Sequence, residues 1–178
     1  MHTGVFITRT LNARVLSGIA LIAAFACAWP GQALGLARVG DAEVREGPRG
    51  GPCFTISPRE ERLGTPDFQA VTVSDGHRLL WKMNMPPGRS FPLSFSMCVP
   101  YGGRVASLPQ SEAAELEAGR VYYLHIDAKA PKGRTTPPSY EARFCLARQR
   151  DGSTVVHQIW SGDREGRHMY GCLPPGDD

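Results

Sequence analysis

The chain has 178 residues, 42% of them hydrophobic and 21% charged, with a formal net charge of +3. This is an ordinary single-domain globular composition, without the bias of a disordered or collagen-like chain. Because 20 Lys and Arg stand against 17 Asp and Glu, no basic surface is implied that would bind nucleic acid by charge alone.

The N-terminal stretch reads as an export signal. Arg9 and Arg14 supply its positive region, Val15 to Trp29 is uncharged and mostly apolar, and Pro30 breaks the run. Ala33-Leu34-Gly35 then places small residues where a signal peptidase reads. Cleavage is expected after Gly35, with Ala37 as a near alternative. That leaves residues 36–178 as one exported domain. The apolar run falls short of the roughly 20 residues that a membrane-spanning helix needs. No later segment reaches that length, so no transmembrane span is expected. Cys27 stands where a bacterial lipoprotein carries its lipidated cysteine. Ala24-Phe25-Ala26 is a poor lipobox, however, with no Leu at the first position and a bulky Phe at the second. The expectation is therefore a discarded signal residue rather than a lipid anchor.

Four cysteines then remain, Cys53, Cys98, Cys145 and Cys172. An even number in an exported chain implies two disulfides. Three pairings are open, and pairing of sequence neighbours, Cys53–Cys98 and Cys145–Cys172, is the working expectation. With no CxxC and no Cys/His spacing of the zinc-finger kind, structural zinc is not expected.

Taken in chain order, the domain reads mostly as strand. Ala42 to Arg45 and Cys53 to Ser57 are short strands separated by Gly47-Pro48-Arg49-Gly50-Gly51-Pro52. Pro58 to Pro66 is a charged connection with room for one helical turn, in which Glu60 and Glu61 read as solvated. Phe68 to Val73 and Arg78 to Met85 flank an Asp75-Gly76 turn, a hairpin signal because Gly takes the positive φ that tight turns need. Phe91 to Val99 is the next strand, closed by Pro100-Tyr101-Gly102-Gly103. Ser111 to Glu117 is the best helix candidate, though only about two turns long. Arg120 to Ala128 is rich in β-formers, with Tyr122, Leu124 and Ile126 on one face and Tyr123 and His125 on the other. Tyr140 to Arg148 and Thr154 to Trp160 form a second hairpin about Asp151-Gly152. The tail from Ser161 is polar and Gly-rich, and Cys172 is expected to pin it to the body. Seven or eight short strands without a long helix predict an all-β fold, an antiparallel, disulfide-stapled β-sandwich of Ig-like architecture.

Enzyme motifs are missing. There is no GxSxG, HExxH, P-loop or GxGxxG. His77 reads as a surface turn residue. His125 and His157 lie on strands that could bring them together, but nothing marks either as a general base. Met83-Asn84-Met85, with Met97, His168 and Met169 elsewhere, raises Cu(I) binding by thioethers. Period-two methionines on a strand are more often core, so neither metal nor cofactor is expected.

Several segments taken in order carry a resemblance. They are Cys53-Phe54-Thr55-Ile56, Leu80-Trp81, Cys98-Val99-Pro100-Tyr101-Gly102, Leu116-Glu117-Ala118-Gly119-Arg120-Val121-Tyr122 and Tyr140-Glu141-Ala142-Arg143-Phe144-Cys145-Leu146. From about Cys53 to Ile159 the chain resembles the periplasmic immunity lipoproteins of type VI secretion systems. It departs from them in lacking a clear lipobox. The resemblance implies a periplasmic protein of Gram-negative bacteria. Such a protein neutralises a secreted antibacterial toxin by tight protein–protein binding and has no catalytic residues of its own. Aromatic and Arg anchors dominate such interfaces, which makes Tyr101, Arg104, Tyr122, Tyr123, His125 and Trp160 the candidates. Tyr101 and Arg104, in a Gly-flanked loop, lead among them. The strand aromatics are expected first in the core. Two other classes compete: a structural or assembly β-sandwich of the envelope without a toxin partner, and a small periplasmic enzyme or metal carrier.

Overall fold

The computed structural model describes residues 37–160 together with Cys172. The compact unit begins at Ala37, close to the expected cleavage after Gly35. The expected signal peptide, Cys27, and the His168 and Met169 side chains lie outside the described residues.

Among the described residues, nine strands form one sheet: β1 (Val39–Glu46), β2 (Pro52–Ile56), β3 (Asp67–Ser74), β4 (Leu79–Asn84), β5 (Phe91–Pro92), β6 (Val99–Pro100), β7 (Tyr122–Lys129), β8 (Ser139–Arg148) and β9 (Thr154–Ile159). The main order is β4-β3-β7-β8-β1-β2-β6, with β5 on β3 and β9 on β8. The fold is thus all-β and held by two disulfides, Cys53–Cys98 and Cys145–Cys172. The ladders differ from an antiparallel two-layer sandwich in two respects. β1 runs parallel to β8, and all strands belong to one continuous mixed sheet that curls upon itself. The curl is visible in the core. Phe54 on β2 and Trp81 on β4 lie far apart along the ladder, yet their ring centroids are 6.2 Å apart. Phe144, 5.6 Å from Phe54, and Tyr101 complete this aromatic centre.

The second edge of β8 is shared. Its first residues pair with β1 and its later ones with β9. Gln158 of β9 closes the fork between these two partners. Its Oε1 accepts from the Val44 N–H at 2.7 Å, and its Nε2 donates to the Ala42 carbonyl at 3.1 Å. The side-chain amide stands in for a peptide group, leaving neither backbone atom unpaired.

Two segments depart from their sequence reading. Ser111 to Glu117 is an extended segment laid along β4, not a helix. The Ser111 and Ala114 N–H groups donate to the Lys82 and Leu80 carbonyls, and the Asn84 N–H donates to the Pro109 carbonyl. An uncovered β4 edge would leave a row of backbone groups unpaired. Pairing them outweighs the weak propensity of a two-turn helix. Phe91 to Val99 is likewise no continuous strand, because it crosses from β3, where β5 pairs, to β2, where β6 pairs. Along the way Ser94 accepts from Thr55 Oγ1 at 2.8 Å through its carbonyl, and Arg45 places its guanidinium 4.9 Å above the Phe95 ring. Among the described residues the one helix, α1 (Pro58–Leu63), occupies the charged connection. It has Ser57 as N-cap and Pro58 in its first turn.

Both glutamates of α1 make structural hydrogen bonds, and Glu60 is buried rather than solvated, while Glu61 is partly exposed. Glu60 is only 1% exposed and takes a two-pronged hydrogen bond from Arg38, both arms 2.7 Å. That bond holds the Glu60 carboxyl below its ordinary range. Glu61 accepts the Phe95 N–H at 2.9 Å. Removing Arg38 leaves the buried carboxylate without its cation. Because Arg38 is half-exposed and water can take its place, Arg38→Ala is expected to cost about 2–3 kcal/mol, below the full cost of breaking a buried pair. Chemical denaturation measures it.

Candidate functional site

Strand β7 alternates strictly, with Tyr122, Leu124, Ile126 and Ala128 buried and Tyr123, His125, Asp127 and Lys129 turned outward. The cross-strand register converts this alternation into rows on the outer face of the sheet. Thr72 of β3, His125 of β7, Glu141 of β8 and Asp41 of β1 stand side by side. One step along, Ser74, Tyr123, Arg143 and Ile159 form a second row. A cleft of about 460 Å³ lies over these rows, and Trp160 at the end of β9 contributes to its wall. Tyr123 is 40% exposed and Trp160 52% exposed.

His125 is held between two carboxylates. Its Nδ1 lies 3.1 Å from Glu141 Oε1, and its Nε2 lies 3.1 Å from Asp127 Oδ1. Both contacts are hydrogen bonds only when both ring nitrogens carry protons. Because the carboxylates occupy opposite sides of the ring, the three groups do not converge on a common point. Among the described residues, no group of three or more His, Cys, Asp and Glu is arranged to hold a metal ion. Met83 is buried in the core, and Met85 packs against it.

The β3–β4 turn borders the same face. A Cβ on Gly76 would meet the Tyr123 ring at 3.3 Å, and Gly76 has a φ of +93°, a conformation that glycine adopts without strain. Asp75 ties the turn together. Its Oδ1 accepts the Arg78 and His77 N–H groups at 2.8 and 3.1 Å, and its Oδ2 takes the Arg78 guanidinium. The backbone bond from Arg78 is the largest cause that depresses the Asp75 carboxyl, to about 2. A depressed carboxyl stabilises the fold above its unfolded value, near 3.9. That contribution is lost as pH falls toward 2. Between pH 4 and 2 the wild type is therefore expected to lose more stability than Asp75→Asn, as measured by thermal unfolding at each pH.

The structure sorts the six candidate anchors. Tyr123, His125 and Trp160 share the outer cleft. Tyr122 does not, since it is 1% exposed and its hydroxyl accepts the Glu117 N–H at 2.7 Å. It belongs to the core. Tyr101, expected to lead the interface, is also a packing residue. The Pro100–Gly103 turn is closed by the Gly103 N–H on the Pro100 carbonyl, with Gly102 at a φ of +64°. The Tyr101 ring packs against Phe54 and Trp81, and its hydroxyl donates to the Ala114 carbonyl at 2.7 Å. Arg104 is exposed but lines a separate recess with Gly102, Gln110 and Glu112. His125 and His157 are not brought together, because His125 pairs with Glu141 and His157 with Cys145, well along β8.

Sequence reasoning missed Asp41, Asp127 and Glu141. Asp127 was within reach, since it shares a strand face with His125 at a spacing of two. Asp41 and Glu141 depend on register between strands distant in sequence, which no local pattern displays.

The architecture defines a class: an all-β domain stapled by disulfides, suited to an oxidising, extracytoplasmic environment. Among the described residues no helix is long and apolar enough to cross a membrane. No family model, curated protein or solved structure matches this chain.

Proposed function

We propose that this chain is a periplasmic immunity-type protein, a binder rather than an enzyme. It would protect its cell by tight association with a secreted antibacterial toxin. The observation that carries this reading is the outer face, where two exposed aromatics, Tyr123 and Trp160, flank a charged row on one sheet. Aromatics of this kind supply most of the energy of a protein interface, and charges around them guide encounter and select the partner. A disulfide-held sheet presents them without an ordering cost on binding. His125 fits the same role, because it lies between two carboxylates, each 3.1 Å from a ring nitrogen. The resemblance of Cys53 to Ile159 to type VI immunity lipoproteins supports the choice of a toxin as the partner over the alternative, an envelope-assembly protein.

A deletion strain grown in contact with its parent on a solid surface tests this. It is expected to be killed by the parent and to survive beside a secretion-deficient parent. Survival beside both, with the secretion system shown to be firing, would overturn the toxin reading.

A further inference from the structure

Asp41 and Glu141 are register partners on the parallel strands β1 and β8, so both carboxylates leave the sheet on the same side. Like charges directly opposite one another destabilise a sheet. His125 does not separate this pair, because it lies on the far side of Glu141, toward Thr72. Arg38 is drawn electrostatically to Asp41, but both arms of its guanidinium hydrogen-bond to Glu60. Among the described residues that line the cleft, Arg143 is a cation, set against the carboxylates of Asp41 and Glu141 there and of Asp127 beside His125. His125 engages Oε1 of Glu141 and Oδ1 of Asp127. A carboxylate offers about four lone-pair positions, so each retains acceptor capacity.

We infer that the cleft receives an arginine side chain presented by the protein partner. The guanidinium would bridge the Asp41 and Glu141 carboxylates and stack against the exposed ring of Tyr123 or Trp160. A planar guanidinium suits this combination because it forks onto carboxylates and stacks on aromatic faces, whereas an ammonium does neither as well. It also brings a positive charge to the two carboxylates that share this register position. The inference rests on the reading of the outer face as the partner surface, and it specifies the group that the partner must offer.

The test uses the exported protein with both disulfides formed, titrated with N-acetyl-arginine amide and, in parallel, with N-acetyl-citrulline amide. Citrulline has nearly the same shape and no charge. Side-chain NMR signals of Tyr123, His125 and Trp160 are expected to shift saturably with the arginine compound and not with the citrulline compound. Combining Asp41→Asn with Glu141→Gln is expected to weaken that binding at least tenfold while leaving the thermal midpoint within a few degrees, since both side chains are exposed. Absence of saturation, or equal response to citrulline, overturns the inference. Its failure is separable from failure of the immunity reading. Protection in the competition assay without arginine preference removes the cation and leaves the binder. Arginine preference without protection leaves the cleft and removes the toxin.

Discussion

Phe54→Ala is expected to be the most damaging single substitution, lowering stability by about 3–5 kcal/mol. Phe54 is fully buried on β2 and meets three other rings: Trp81, Tyr101 and Phe144. Trp81 and Phe144 come from β4 and β8, which no ladder joins to β2, and Tyr101 comes from the turn after β6, so this one side chain ties distant parts of the sheet together. Truncation loses the transfer energy of the ring and leaves a cavity that the curled sheet cannot close without moving several strands. Equilibrium denaturation of the purified domain reads the loss. Phe54→Leu, which keeps most of the volume, is expected to lose clearly less. Equal losses in the two variants would contradict the packing account.

Removal of the Cys53–Cys98 bridge, by changing both residues to Ala, is expected to cost about 4 kcal/mol, because the bridge closes a long loop in the unfolded chain. The bond spans 45 residues and links β2 to the segment that enters β6. That segment between β5 and β6 is held also by the buried Leu93, by Arg45 over Phe95 and by hydrogen bonds such as Thr55 to Ser94 and Phe95 to Glu61. The Cys145–Cys172 bridge closes a shorter loop, with a separation of 27 residues, and its removal is expected to cost somewhat less. A reversed order of the two losses in denaturant midpoints would show that native packing, rather than loop closure, sets the contribution of these bonds.

Local patterning in the sequence revealed the features that depend on neighbours along the chain. The alternation of β7 and the hairpins about both Asp-Gly turns are of this kind, and the expected pairing of sequence-neighbour cysteines agrees with the two disulfides. The features it concealed depend on distant strands. Ser111 to Glu117 has helical composition, but the open edge of β4 decides its conformation. Glu60 reads as a solvated loop acid until Arg38 is seen to lie over it. Tyr101 looks like a loop residue because Gly102 and Gly103 flank it, yet the turn they permit aims its ring into the core. For the candidate site, Tyr123 and His125 were legible as an outward pair. The charged row that surrounds them exists only through the parallel pairing of β1 with β8, which joins the first strand of the domain to the penultimate one.

The central claim is that the Tyr123–Trp160 face protects by binding. Complementing the deletion strain with Tyr123→Ala combined with Trp160→Ala tests it most directly, in the contact-killing assay and with export and thermal midpoint matched to wild type. Both side chains are exposed, so folding should be retained. Losing two aromatic anchors should weaken partner binding by about 30-fold or more, corresponding to at least about 2 kcal/mol. The expected result is that wild-type protein restores survival and the double variant does not. Equal protection by a folded, exported double variant would contradict the account and place the binding surface elsewhere on the molecule.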